Sequence, residues 1–299
     1  MFPAGVAGIR TRRVTLASGI GLRVAESGAP SAPPVLLLHG WGASLYMWRD
    51  WFMPLAAAGR RVMAVDLPGH GLSDKPDDPG PYRLEGLVAA VRELMDAERL
   101  VQVDVVAQSM AGTIALALAP AGEHRVRRVA LVNPACFGRI RLQMLARAVS
   151  PPVVDVVLPR MVPRWVVARA HRLVYGDPSL ITERDEDEYW APSQFPSYAR
   201  AMRRLLHEFR WTRPPVGAMA QQLGALPEAT LVVLGTRDRL VRDARPYVAS
   251  LLAAGAPLVV REVEGGGHAV NEERPREVAS LALEFLGSPL ERPGQHRAT

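Results

Sequence analysis

The amino-acid sequence predicts a doubly wound α/β fold, in which a mostly parallel sheet is covered by helices on both faces and carries an inserted, mainly helical lid. Short continuous apolar runs, typical of buried strands, alternate with helical patterns in residues 1–135 and again in residues 225–287. The stretch between them, residues 136–224, is rich in Pro, Arg and aromatic residues and has no such strand run. We therefore expect a core in two parts, a lid formed by residues 136–224, and a flexible tail formed by residues 288–299.

The sequence predicts eight strands and at least five helices in the core. Residues 10–27 are expected to form an antiparallel edge pair joined through Ser18-Gly19. Six apolar runs predict the remaining strands, at residues 35–38, 62–65, 103–107, 129–132, 231–234 and 258–263. Helices are expected up to Ala58, along Leu84–Met95 with its i, i+3, i+4, i+7 spacing, after Gln108, and near residues 244–254 and 275–286.

Composition narrows the functional class. The 299 residues are 48% hydrophobic and 22% charged, which is ordinary for a globular protein. The longest nearly apolar stretch, around residues 111–122, is too short to span a bilayer, and the first residues lack the apolar region of a secretory signal. Cys136 is the only cysteine, so an internal disulfide is excluded and a cytoplasmic location is expected. The sequence has no basic run interleaved with aromatic residues, which would indicate nucleic-acid binding. It also has no Cys/His cluster, which would indicate structural zinc.

The positive charge is concentrated in the lid. The chain has a net charge of +6, and residues 138–223 hold 13 arginines against 8 acidic residues. Such a segment is compatible with an anionic substrate or surface, but a solvated helical face is the simpler explanation. The stripe of Met202, Leu205, Leu206 and Phe209, with arginines on the other side of the helix, fits this second interpretation.

Ser109 lies at the point where the run 103–107 gives way to a helical pattern. Ala107, Ala111 and Gly112 surround it, and small side chains permit a sharp strand-to-helix turn that presents a serine hydroxyl at a helix N-terminus. A simple N-cap serine is the alternative.

A serine nucleophile needs a base and a group that orients the base. His268 follows the last predicted strand after three glycines, and Asp238 follows the preceding strand. Both therefore lie at the same sheet edge as Ser109, in the chain order Ser109, Asp238, His268. Asp243 is the nearest rival acid, and a turn or cap role is the alternative for each residue.

Acyl transfer also needs two N–H donors for the oxyanion. The amide of Met110 follows the nucleophile directly, and the amide of Trp41 lies between Gly40 and Gly42 in the loop after the strand 35–38. These two amides are the predicted oxyanion hole. The neighbouring His39 is expected to form structural hydrogen bonds.

Five motifs carry a resemblance to a known family: LLLHGWG, DLPGHGLSDKP, VVAQSMAG, LGTRDRLV and GGGHAVNEERP. Across residues 10–287 the chain resembles the α/β-hydrolase superfamily, with Ala107 and Ala111 where the family usually has glycine and Gln108 where histidine is common. The resemblance implies that the DLPGHGLS loop, including Asp66 and His70, is structural. Because dehalogenases and epoxide hydrolases of this fold use aspartate as the nucleophile, Ser109 favours the carboxylesterases, lactonases and carbon–carbon bond hydrolases with a cap.

The expected reaction is hydrolysis of an ester, lactone or similar bond of a small, partly apolar molecule, through an acyl-enzyme on Ser109. It needs no cofactor and no metal. Trp165, Trp190 and Trp211 are candidate pocket residues, although lid core is the simpler explanation for each of them. Two alternatives stay open. The first is a non-hydrolytic enzyme of the same fold, such as a lyase, cyclase or cofactor-free oxygenase, which would form no acyl-enzyme. The second is a ligand receptor with slow hydrolysis, whose lid would move on binding. The sequence does not predict an oligomeric state.

Overall fold

The computed structural model describes residues 1–118, 123–140, 162–195 and 197–287. The tail predicted for residues 288–299 lies outside the described residues, and so does a large part of the predicted lid, residues 141–161.

One eight-stranded sheet forms the centre of the molecule, with the order β1-β2-β4-β3-β5-β6-β7-β8. Strands β3 to β8 pair in parallel, whereas β2 runs antiparallel to both β1 and β4. The predicted edge hairpin and the predicted parallel sheet are thus confirmed. The strands are β1 (Arg10–Thr15), β2 (Gly21–Ser27), β3 (Pro34–Leu38), β4 (Arg61–Val65), β5 (Val103–Gln108), β6 (Val126–Val132), β7 (Thr230–Gly235) and β8 (Leu258–Val263).

Helices cover both faces of the sheet. The described helices are α1 (Phe52–Ala57), α2 (Leu84–Ala97), α3 (Met110–Leu118), α4 (Arg164–Val174), α5 (Glu183–Trp190), α6 (Tyr198–Glu208), α7 (Val216–Gly224), α8 (Ala244–Ala253), α9 (Val270–Glu273) and α10 (Pro275–Gly287). The helix expected up to Ala58 is interrupted: a 3₁₀ turn at Leu45–Trp48 precedes the short α1, in which Pro54 occupies the first turn.

Alternate residues of the central strands feed two separate apolar cores. On one face Leu36, Val105 and Leu131 pack with α2, α3 and α8, and on the other Leu37, Val106 and Val132 pack with α1 and α10. Because both faces are buried, the strands read as continuous apolar runs. This is the physical reason that the sequence pattern located them correctly.

The described part of the chain between β6 and β7 is helical, as the sequence predicts. The apolar stripe of α6 is buried, with Met202, Leu205, Leu206 and Phe209 each less than 9% exposed. Helix α7 packs beside α3, where the Gln222 side chain donates a hydrogen bond to the Leu116 carbonyl, 2.8 Å away. We call residues 136–224 the insertion; its boundaries and its role as a lid stay predictions. Within the described residues, none of the helices is both long and apolar enough to cross a membrane.

Candidate active site

Ser109 occupies a strained turn between β5 and α3. Its φ of 52° lies in the left-handed region, which costs a non-glycine residue on the order of 1–3 kcal/mol. The surrounding backbone holds this conformation: the Ser109 amide donates to Val132, and the Ser109 carbonyl accepts from Gly112 and Ala135. A side chain at Gly112 would collide with Pro134, since an added Cβ would lie 2.9 Å from the proline Cβ. Glycine is therefore required at position 112, directly after the turn.

Ser109, His268 and Asp238 form one chain of hydrogen bonds. The Ser109 Oγ lies 2.8 Å from His268 Nε2, and His268 Nδ1 lies 2.8 Å from Asp238 Oδ2. In this arrangement Nδ1–H donates to the carboxylate and Nε2 is free to accept the serine proton. The side chains of Ser109 and His268 are buried, at 6% and 5% exposure. The geometry brings together all three residues that the sequence singles out.

The second carboxylate oxygen of Asp238 is also used. Asp238 Oδ1 accepts the backbone amides of Leu240 and Val241, at 2.8 and 3.0 Å. These bonds fix the carboxylate so that Oδ2 points at the imidazole. The rival Asp243 directly precedes helix α8 and faces Arg139 instead, 3.9 Å away. The structure therefore gives Asp243 no part in the hydrogen-bond chain.

Met110 and the loop that contains Trp41 border this serine. Met110 is the first residue of α3, where a helix leaves its amide without an intrahelical acceptor. Gly40, next to Trp41, packs so tightly on the serine that an added Cβ would lie 3.0 Å from the Ser109 Cβ. His39 is buried and hydrogen-bonded to the Gly40 carbonyl and the Leu67 amide, which fits its expected structural role. Burial lowers the pKa of His39, so the neutral ring is the stable form.

A cavity of about 250 Å³ opens above the serine. Its described lining is mostly apolar and includes Met47, Val167 and Leu206, together with Ser109 and His268. Both the core and the insertion contribute walls, which is typical of a site for a small, largely apolar ligand.

Only one of the three predicted pocket tryptophans lines this cavity. Trp211 does so, with its indole N–H bound to the Leu205 carbonyl. Trp165 does not, because it lies on the outer face of α4 and is 71% exposed. Trp190 is also absent from the described lining, and its indole N–H donates to Val162. The described lining thus lacks Trp165 and Trp190, contrary to the prediction, and contains Trp41, which the sequence singled out only for its amide.

Comparison with known proteins identifies the family. The family model described as "Alpha/beta hydrolase family" matches residues 35–281. The chain belongs to the alpha/beta hydrolase family. It is 29% identical over 283 residues to 2-hydroxymuconate semialdehyde hydrolase of Pseudomonas sp. (strain CF600), covering 92% of this chain and 93% of the relative. This relative and a 2-hydroxy-6-oxo-2,4-heptadienoate hydrolase of Pseudomonas putida are both named as hydrolases. The chain is an enzyme of the hydrolase class.

Two solved structures share the fold. Epoxide hydrolase A from Mycobacterium thermoresistibile superposes with a TM-score of 0.73 at 23% identity, over 95% of this chain and 99% of the other. The 2-hydroxy-6-oxo-6-phenylhexa-2,4-dienoate hydrolase of Rhodococcus sp. strain RHA1 gives a TM-score of 0.74 at 22% identity, over 94% and 99%. At these identities the likeness shows a shared fold and not a shared substrate.

Three residues that support the site in this hydrolase were not predicted for it. The Asn133 side chain donates to the carbonyls of Gly267 and His268, at 2.8 and 3.1 Å, and accepts from the Gly235 amide. Gln108 donates to the same His268 carbonyl at 3.1 Å. The buried Glu273 accepts amides from Gly267, Gly176 and Asp177, which attaches the histidine loop to the insertion. Asn133 follows β6 directly, so a polar residue at a strand end was the available signal.

A cluster of charged and hydroxyl side chains lies at the side of the cavity that the insertion forms. Arg49 binds Glu272 and Asp185, with N–O distances of 2.6 and 3.0 Å. The hydroxyl of Tyr189 donates to Glu272 at 2.6 Å, and that of Tyr46 donates to Asp185 at 2.7 Å. We call these five residues the charged cluster. It joins the core to α5 of the insertion, and Glu272 and Tyr189 line the cavity.

Proposed function

We propose that the hydrolase cleaves an ester, lactone or similar acyl bond of a small, largely apolar molecule, with Ser109 as nucleophile. The observation that carries the proposal is the hydrogen-bond chain from Ser109 Oγ through His268 to Asp238, at the edge of a cavity of about 250 Å³. A serine hydroxyl is a weak nucleophile until a base within hydrogen-bond reach takes its proton, and His268 Nε2 is at that distance.

The proposed reaction has two halves. Ser109 Oγ attacks the acyl carbon while His268 takes its proton, and Asp238 stabilises the imidazolium that results. The amides of Met110 and Trp41 donate to the oxyanion. His268 then returns the proton to the leaving alcohol, and an acyl-enzyme remains. Water, deprotonated by the same histidine, attacks the acyl-enzyme and releases the acid.

Cleavage of a carbon–carbon bond next to a ketone is the second candidate. It is favoured by the similarity to 2-hydroxymuconate semialdehyde hydrolase over nearly the whole chain and to a 2-hydroxy-6-oxo-2,4-heptadienoate hydrolase of Pseudomonas putida over 123 residues. Both reactions would use the same three residues, so the substrate distinguishes them. Assays with short p-nitrophenyl esters and with 2-hydroxy-6-oxohepta-2,4-dienoate, run side by side, decide between the two.

Fluorophosphonate labelling tests the nucleophile. The wild-type protein should be labelled at Ser109, and Ser109→Ala and His268→Ala should lose both labelling and ester turnover. Ser250→Ala and His124→Ala are matched controls, since both residues are exposed and lie outside the cavity lining. Labelling that persists in Ser109→Ala, or turnover that survives in His268→Ala, would contradict the proposal.

A further inference from the structure

The insertion places a histidine without a hydrogen-bond partner in the cavity wall. His171 of α4 is 5% exposed and lines the cavity, yet neither Nδ1 nor Nε2 has a hydrogen-bond partner among the described residues. Its ring lies against Tyr189, with centroids 4.2 Å apart, and meets the edge of Tyr175 at 4.9 Å. A buried polar group without a partner costs stability, so native proteins keep few of them and often for a functional reason.

Every other polar side chain in the described lining forms at least one hydrogen bond. Those of Trp41 and Trp211 donate to the backbone carbonyls of Met202 and Leu205, and that of Gln108 donates to His268. The remaining polar side chains bind one another or the charged cluster, namely Ser109, Tyr189, His268 and Glu272. Within this lining, the imidazole of His171 alone keeps its whole hydrogen-bonding capacity for a ligand.

The charges around His171 select the kind of ligand. No lysine or arginine is present in the described lining, whereas the carboxylate of Glu272 is. Arg49, behind the wall, already binds Glu272 and Asp185. A carboxylate ligand would therefore meet a carboxylate and find no cation to neutralise it. Burial lowers the pKa of His171, so the ring is neutral at pH 7 and offers one donor and one acceptor.

We propose that His171 is a specificity residue that binds an uncharged hydroxyl or carbonyl oxygen of the substrate, at a distance from the bond that is cleaved. The substrate class is then a compact acyl compound, apolar except for one further neutral polar group. This inference rests on the proposed acyl transfer at Ser109. Both ring nitrogens are buried in this structure, so the proposal requires the ring to turn about its Cβ–Cγ bond to meet the ligand.

The test uses two matched sets of esters. In the first, the p-nitrophenyl esters of pentanoic acid, 4-oxopentanoic acid and succinic acid differ only at the far end of the acyl chain, which is apolar, a ketone or a carboxylate. In the second, pentyl acetate, 4-oxopentyl acetate and 4-acetoxybutanoate place the same groups on the alcohol. The kcat/KM of each ester, corrected for uncatalysed hydrolysis, is measured for wild type, His171→Leu and His171→Gln.

In one of the two sets the wild type should prefer the ketone over the apolar ester by about tenfold, the value of one hydrogen bond to a buried group. The carboxylate ester should be the poorest of its set. The ketone preference should fall to near one in His171→Leu and recover in part in His171→Gln, because glutamine restores a donor and an acceptor. The exposed His124→Leu is the control and should keep the wild-type preference.

Three results would overturn the role of His171: no ketone preference in either set, a ketone preference that survives in His171→Leu, or a carboxylate ester as the best substrate. Fluorophosphonate labelling of Ser109, measured on the same samples, separates this failure from failure of the proposed function. Wild type that is labelled but shows no ketone preference contradicts the inference about His171 alone. Wild type that is folded and not labelled contradicts the acyl transfer, and the inference with it.

Discussion

The two ends of the cavity differ in how completely hydrogen bonds hold their polar side chains. At the Ser109 end, the functional side chains stand on turns at the ends of parallel strands, and hydrogen bonds orient each of them. At the insertion end, the charged cluster buries an arginine between two carboxylates beside a histidine that has no partner among the described residues. The first end is held in one geometry by hydrogen bonds, whereas the second keeps hydrogen-bonding capacity that none of the described residues uses. We propose that the first end serves the reaction and the second the recognition of the substrate.

The largest effect is expected at Asp238. Asp238→Asn should lower kcat by about 10⁴-fold, because an amide can hold His268 in the wrong tautomer while leaving the fold intact. Ester turnover at saturating substrate measures this loss. The matched control is Asp243→Asn, the neighbouring acid that faces Arg139, which should retain wild-type kcat. Equal losses in the two variants would remove the distinction between these acids.

Removal of the central cation should destabilise the insertion end strongly. Arg49→Met leaves Glu272 and Asp185 buried without their counter-ion, and we expect a loss of about 3–5 kcal/mol in the free energy of unfolding. Urea denaturation measures this loss. Arg200→Met is the control, since Arg200 and its partner Asp77 are both exposed, and surface pairs contribute little. A loss no greater than that of the control would show that the charged cluster does not hold the insertion to the core.

Stability should fall on acidification below pH 6.5. Burial lowers the pKa of His39, His70 and His171 in the folded protein below the ordinary value of 6.5. As the pH falls below 6.5, these histidines therefore take up protons in the unfolded chain before they do so in the folded protein. Each such histidine contributes up to about 1.4 kcal/mol per pH unit to the decline.

The matching measurement is the free energy of unfolding between pH 7 and pH 5.5 for wild type and His171→Leu. The variant should lose stability less steeply as the pH falls, since one of the three histidines whose pKa is lowered by burial is gone. It should also be more stable than wild type at pH 7, by about 1–2 kcal/mol, because an apolar side chain needs no hydrogen bond. Identical pH profiles would mean that His171 finds a partner in solution.

The smallest effect is expected at the nucleophile turn. Ser109→Gly should be more stable than Ser109→Ala by about 1 kcal/mol, because glycine adopts a φ of 52° without strain. Thermal unfolding of the two variants, neither of which keeps the hydroxyl, measures the difference. A glycine variant no more stable than the alanine variant would show that Ser109 does not store strain.

The sequence by itself determined the sheet, its edge hairpin, and the strand-end positions of Ser109, Asp238 and His268. These follow from local rules: strands buried on both faces are continuously apolar, small residues permit the sharp turn, and the carboxyl ends of parallel strands share one edge. The tertiary structure alone decided that Trp211 and Trp41 line the cavity while Trp165 faces solvent, and that His171 lies beside Tyr189. It also brought Arg49 to Glu272, 223 residues away along the chain. A helical pattern shows which residues share a face, but what that face meets depends on how the whole insertion packs over the sheet.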